Sequence, residues 1–308
     1  MNKMKLFRRT SQPLQAGFTM IELMLVCAIF SIVMYTIVKG IDTTVQRSES
    51  EQVKVDLTQA GREFVDEFER DLHQAGYPNC RMVTTLVAGI PLTNNCPADY
   101  TATQQPAAKN PALAVGLVFV SSTKIIFEGA MDGTGTVYSV QYRLVDAAGN
   151  NPPLSCPCIL QRSEQPKDPT GSTLPLLQPT FFSQELQNVV NSGQPVGAAP
   201  YGGGAPITGD TAWGATDTAY YAAITTFKDY PVFQAYDQNG GILSINPPLD
   251  ITTPAGTQAL TCSVSTTNCV KSIRLTINLL ANAITGADLQ TRVRPVTTLV
   301  GNARLVNN

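Results

Sequence analysis

An α+β fold is the class that this 308-residue sequence predicts, and three observations predict it. An apolar run from Phe18 to Val38 leads without a break into apolar residues recurring at three- and four-residue intervals as far as Ala75, the period of one amphipathic helix. Beyond Gly76 the pattern changes to alternation with period two, the mark of half-buried strands. Six of the seven cysteines lie in that second part, as in a domain held by disulfides outside the cytoplasm.

The helix is legible from its ends inward. Residues 1–17 carry Lys3, Lys5, Arg8 and Arg9 and no acid, so the positive-inside bias keeps them cytoplasmic. Behind them Phe18 to Val38, about 21 residues, is long enough as a helix to cross a bilayer, with Glu22 as its only charge and Lys39 closing it. A secretory signal places its small-residue cleavage site after the apolar core. Here the small residue, Gly17, stands before it, so a cut there leaves the membrane helix on the mature protein. The apolar spacing then continues through Val53, Leu57, Ala60, Phe64, Phe68, Leu72 and Ala75, giving one rod from Phe18 to Ala75 of roughly 85 Å at 1.5 Å per residue. Gly76 supplies the stop and Pro78 follows it. Gly40 and Gly61 read either as soft spots where the rod bends or as tolerated glycines costing about 1 kcal/mol each.

Residues 49–71 hold Glu49, Glu51, Asp56, Glu63, Asp66, Glu67, Glu69 and Asp71 against Lys54, Arg62 and Arg70. This excess reads first as a solvated face and second as a surface selecting basic neighbours. His73, the single histidine, has no Cys or carboxylate set at ligand spacing around it, so a surface or packing place is expected for it.

After the helix, residues 113–120 and 123–128 read as strands and Asp132-Gly133-Thr134-Gly135 as a turn. Residues 136–145 alternate Tyr138, Val140, Tyr142 and Leu144 with polar residues, and a hairpin follows. Proline and glycine then interrupt the pattern over 164–216, read as a long surface insertion with a short helix at 181–191. Residues 231–236, a turn at Asp237-Gln238-Asn239-Gly240-Gly241 and residues 242–245 read as a hairpin. Ile273, Leu275, Ile277 and Leu279 mark another strand, and 288–300 a last edge strand. Phe64, Phe68 and Leu72 are the helix residues expected to pack into the sheet.

Among the cysteines, Cys80 with Cys96 and Cys262 with Cys269 each close a short polar loop and are the local pairs expected. Cys156 and Cys158 flank one proline, where a direct bridge is strained, and six cysteines allow fifteen connectivities. Metal binding is the rival reading, but one histidine and no paired CxxC units argue against it. Cys27 reads as a small apolar residue of the membrane helix.

The junction Gly17-Phe18-Thr19-Met20-Ile21-Glu22-Leu23 resembles the class III signal of type IV pilins and pseudopilins. The resemblance implies that a prepilin peptidase cuts between Gly17 and Phe18 and methylates the Phe18 amine. It also implies that this amine and the Glu22 carboxylate of adjacent subunits dock, offsetting a lone charge in lipid that costs about 2.5–3.5 kcal/mol at a helix centre. The implied fold is the type IV pilin fold. Residues 1–17 are the leader, 18–38 the transmembrane part, 39–76 the amphipathic second half and 77–308 a β-rich head with the 164–216 insertion. The helix end, Phe64 to Leu72 followed by Ala75-Gly76-Tyr77, resembles the PilW group of minor pilins. Phe233-Gln234-Ala235-Tyr236-Asp237-Gln238-Asn239-Gly240 resembles a hairpin shared by that group and the J-type pseudopilins of type II secretion. Implied partners are the prepilin peptidase, other minor pilins, the major pilin and the inner membrane. The head is expected in the periplasm and then on a pilus at the cell surface.

Other classes fare worse. Charged residues are 14% of the chain and its net charge is −2, with no basic stripe beyond the leader, so nucleic acid is not an expected partner. There is no GxSxG, HExxH or phosphate loop, so neither enzyme nor cofactor is expected. The type II secretion pseudopilin stays as the alternative, and adhesion or DNA capture through the insertion as a third.

Overall fold

A computed structural model describes residues 17, 19–79, 112–153, 158–167, 181–191, 230–261, 268–281 and 296–306. Its first element is α1, Met20–Gln74, one unbroken helix of 55 residues capped by Thr19 and ended at Ala75, as the periodicity predicts. A single curled sheet of nine strands, all paired antiparallel, accounts for most of the rest. The strands are β1 Leu117–Val120, β2 Lys124–Gly129, β3 Tyr138–Val145, β4 Cys158–Pro166, β5 Ser183–Val189, β6 Phe233–Tyr236, β7 Leu249–Asp250, β8 Ser272–Leu280 and β9 Val296–Arg304. A short helix, α2 (Pro254–Thr261), follows β7. The order is β6-β8-β5-β4-β3-β2-β1-β7, with β9 along β8. This is the α+β architecture of a type IV pilin.

The helix docks by its apolar stripe. Phe64, Phe68 and Leu72 are buried, and their partners come from strands far apart in sequence. The Tyr142 ring lies edge-on to Phe64 at 5.7 Å and to Phe68 at 5.3 Å, and Phe233 lies 5.7 Å from Phe68. Truncating a buried phenylalanine of this kind to alanine costs about 3–5 kcal/mol. Val140, Tyr142 and Leu144 are all fully buried, as the alternation in β3 requires.

The end of α1 explains why Ala75-Gly76-Tyr77 has the composition it has. Ala75 is buried and bridges Gly129 at the end of β2. Gly76 takes φ +76°, which a Cβ would oppose, and its N–H donates to Glu128 O at 2.8 Å. Ala130 N returns a bond to Tyr77 O at 2.8 Å. The approach is close enough that a Cβ on Gly129 would stand 2.5 Å from Gln74 O.

Four sequence expectations are corrected. Residues 183–189 form β5, not a helix; Leu186 pairs with Leu160 and Val189 with Cys158, and this pairing overrides the helix-compatible Gln-Glu-Leu-Gln composition. The 164–216 span is thus not all insertion, since β4 runs to Pro166 and β5 lies inside it; the rest of it, 168–180 and 192–216, lies outside the described residues. Residues 242–245 form no strand: only Ile242 bridges Tyr236. Gly61 is a contact and not a bend, because a Cβ there would overlap Leu299 Cδ1 and stand 3.0 Å from Leu279 Cδ1. It is the point where β8 and β9 come against the helix backbone.

Candidate functional site

Two regions carry the functional reading: the exposed amino-terminal half of α1, and the clasp that fixes its other half to the head.

Helix α1 starts where Thr19, in extended conformation (φ −77°, ψ 150°), turns its side chain back over the first turn. Thr19 Oγ1 accepts from Glu22 N at 3.3 Å, and Thr19 N donates to Glu22 Oε2 at 2.9 Å. The hydroxyl also donates to that same Oε2 at 3.0 Å. This reciprocal capping box leaves two fewer backbone donors bare at the helix start. The carboxylate also meets the positive end of the helix dipole. All three bonds involve Oε2 or the Glu22 amide, so Oε1 has no hydrogen bond among the described residues. Thr19 is the member of this site that sequence reasoning missed; the Thr-x-x-Glu spacing itself was the available signal.

From Met20 to Val45 large apolar side chains stand clear of the head, and α1 is the one described helix long and apolar enough to cross a membrane. Its serine and threonine hydroxyls are satisfied within the helix. Ser31 donates to Cys27 O at 2.7 Å, Thr36 to Val33 O at 2.7 Å and Thr43 to Lys39 O at 2.8 Å, so none of these needs water. Cys27 is exposed and unbonded.

The upper half of α1 is not simply a solvated face. Asp71 is buried and receives the Tyr142 hydroxyl at 2.7 Å and Arg162 Nη2 at 2.7 Å. Arg162 also meets Glu164 at 2.6 Å and Glu67 at 3.4 Å. On the other flank Glu69 Oε1 accepts from Asn302 N at 2.8 Å, which occupies one outward donor of β9. Burial, followed by Asp71, pushes the Tyr142 hydroxyl well above the usual tyrosine range, so it stays a donor. Burial also raises the Glu67 carboxyl, with Arg162 opposing. Three of the eight acids therefore lock rod to head. Glu49, Glu51, Asp56, Glu63 and Asp66 remain exposed, and so does His73.

Residues 13–34 match the family described as the prokaryotic N-terminal methylation motif. This match brackets Gly17, Phe18 and Glu22 and coincides with the capped start of the exposed apolar helix. The chain is type IV pilin-like. No curated protein and no solved structure matches it. A type IV pilin-like chain is a substrate for prepilin peptidase, anchors in a membrane by its first helix and assembles with other pilins as a structural subunit.

Of the residues singled out in this pilin-like sequence, Gly17 is exposed just before the cap and Glu22 sits in the first turn; Phe18 lies outside the described residues. Cys158, on β4, and Cys269, just before β8, are each disulfide-bonded. Cys80, Cys96, Cys156 and Cys262 lie outside the described residues, so the pairing stays a proposal. The turn after β6 is organised by one side chain: Asp237 Oδ1 accepts from Asn239 N at 2.8 Å and Gly241 N at 2.7 Å, with Gly240 at φ +78°. That accounts for Asp237 and Gly240 in the Phe233 to Gly240 segment.

Proposed function

We propose that the chain is a minor pilin of the PilW group, cleaved between Gly17 and Phe18, N-methylated on Phe18, and placed at or near the pilus tip to prime assembly. The observation that carries this reading is Glu22: a carboxylate held at the start of an exposed apolar helix, with Oε2 engaged by its own Thr19 and Oε1 without a hydrogen bond among the described residues. Such a carboxylate oxygen at the edge of lipid suits the cationic amine of a neighbouring subunit's Phe18, since opposite charges attract strongly where water is excluded. The size of the head supports a low-abundance subunit over a major one, because a unit spanning residues 77–308 is bulky to repeat along a thin fibre. The head is proposed to face the periplasm before assembly, with Cys80–Cys96 and Cys262–Cys269 as its local disulfides.

The test is Glu22→Ala in the producing cell. Insertion and processing should persist while co-purification with other pilin subunits is lost; unchanged co-assembly contradicts the assignment. Deletion of the chain should reduce surface piliation with the major pilin still made and processed. The second reading, a J-type pseudopilin of type II secretion, draws on the Asp237-organised turn. It predicts instead that deletion impairs protein secretion and leaves piliation intact.

A further inference from the structure

Asn239-Gly240 is the one Asn-Gly pair in the sequence, and Asn239 is exposed in the turn after β6. A glycine after asparagine has no Cβ to hinder its own amide nitrogen, so here that nitrogen can close on the asparagine side chain. Gly240 N then bonds to Asn239 Cγ and the Cγ–Nδ2 bond breaks, with the Gly240 amide proton leaving on Nδ2 as ammonia. Water opens the resulting cyclic imide. Cleaving N–Cγ leaves aspartate at 239, whereas cleaving the bond to the backbone carbonyl carbon leaves isoaspartate, which carries one more carbon in the main chain. Water is the only co-reactant.

The turn opposes this closure at the atoms that would react. Gly240 N donates to Asp237 O at 3.2 Å and Asp237 N donates to Gly241 O at 2.9 Å. Gly240 has φ +78° and Asn239 lies at negative φ, which makes a type I turn followed by a left-handed glycine. Asp237 Oδ1 accepts from Asn239 N at 2.8 Å and from Gly241 N at 2.7 Å, so one carboxylate bridges the amides on either side of Gly240 N. Attack requires that nitrogen to give up its proton, and a carboxylate held this close disfavours the negative charge that forms. Attack also requires rotation about the Asn239 Cα–C bond, which pulls Gly240 N and Gly241 N away from Asp237. The arms resist the same motion: Leu243 N donates to Ala235 O at 3.0 Å, and Gln234 Nε2 to Leu243 O at 2.9 Å.

We propose that Asn239 is a deamidation site that Asp237 keeps unreactive in the folded head, so that conversion proceeds only where this hairpin opens. Asp237 thereby has a chemical task besides shaping the turn. An isoaspartate at 239 lengthens the main chain inside the bridge, so the two amides no longer reach one carboxylate oxygen and conversion runs one way. The proposal stands apart from the pilin reading and rests on the turn alone.

Peptide-level mass spectrometry on the full-length chain tests this, in detergent micelles with disulfides intact, by following aspartate and isoaspartate at 239 during incubation in mildly alkaline buffer. Folded wild type should convert at least about tenfold more slowly than the same chain unfolded in guanidinium chloride, the factor that two or three net hydrogen bonds impose on opening the turn. Asp237→Ala, with its fold checked by circular dichroism, should convert at least about fivefold faster than folded wild type. Asp237→Asn, which keeps an oxygen acceptor and drops the charge, should lie between them. The proposal is overturned by a folded wild type that converts within about twofold of the unfolded chain, or by a folded Asp237→Ala chain that converts no faster than wild type. Where Asp237→Ala loses the fold, Asp237→Asn takes its place, and a rate no faster than wild type overturns the proposal in the same way.

Discussion

Replacing Asp71 with alanine should loosen the helix from the head by about 2–4 kcal/mol, and the figure follows from what the side chain holds. Asp71 Oδ2 receives the Tyr142 hydroxyl at 2.7 Å, Arg162 Nε at 2.9 Å and Arg162 Nη2 at 2.7 Å. Hydrogen bonds to a charged group contribute about 1.5–3 kcal/mol each, and removing one member of a buried ion pair costs about 3–5 kcal/mol. The lower part of that range applies here because Arg162 is 14% exposed, keeps Glu164 at 2.6 Å, and still donates to the Tyr142 oxygen at 3.1 Å. Asp71→Asn keeps an acceptor and should lose about half as much. Denaturant unfolding of the full chain in detergent with disulfides intact, followed by circular dichroism, measures both. Tyr142→Phe combined with Asp71→Ala should show a coupling of about 1–2 kcal/mol. A loss below about 1 kcal/mol for Asp71→Ala, or an asparagine variant as unstable as the alanine one, would refute the clasp.

Three further outcomes follow from the same structure. Lys167 and Glu128 form a fully buried pair at 2.7 Å, and Lys167 also donates to Leu113 O at 2.8 Å; Lys167→Met alone should cost about 3–5 kcal/mol, whereas Lys167→Met with Glu128→Gln should recover most of it, as measured by thermal melts. Gly61→Val should part α1 from β8 and β9 by placing methyl groups where Leu299 and Leu279 now lie, lowering stability by about 1–3 kcal/mol, while Gly40→Val, with open space around it, should stay within about 1 kcal/mol. Because burial raises the Glu67 carboxyl, the unfolded chain releases that proton first, so its share of stability is present in acid and is lost as pH rises through the folded value. Melts of Glu67→Gln against wild type should therefore shift in favour of the variant as pH rises above the ordinary carboxylate range.

The rod was legible because its signals were local. The apolar period, Gly76 and Pro78 set its limits to within two residues, and the alternation in Tyr138 to Val145 and in Ile273 to Leu279 located β3 and β8. What escaped were features decided by residues distant in sequence. Ser183–Val189 has one fully apolar face position in its middle, Leu186, and becomes a strand because β4 offers it an edge. Asp71 looked like one acid among eight. Its spacing of seven from Phe64 and three from Phe68 placed it on the buried stripe, yet it is Tyr142 and Arg162, 71 and 91 residues away, that make that burial tolerable. Gly61 shares the stripe with Phe64 and Phe68, which is a signal for close approach more than for a bend. At the amino terminus the motif was visible in full, and the structure adds Thr19 as the residue that holds Glu22.

The central claim is that Gly17-Phe18 is a processing junction and that the capped helix behind it is the assembly element of a pilin-like subunit. Mass spectrometry of the mature amino terminus tests it most directly. The account predicts a chain beginning at N-methylated Phe18. An intact Met1, or a cut downstream of Val38, would contradict it.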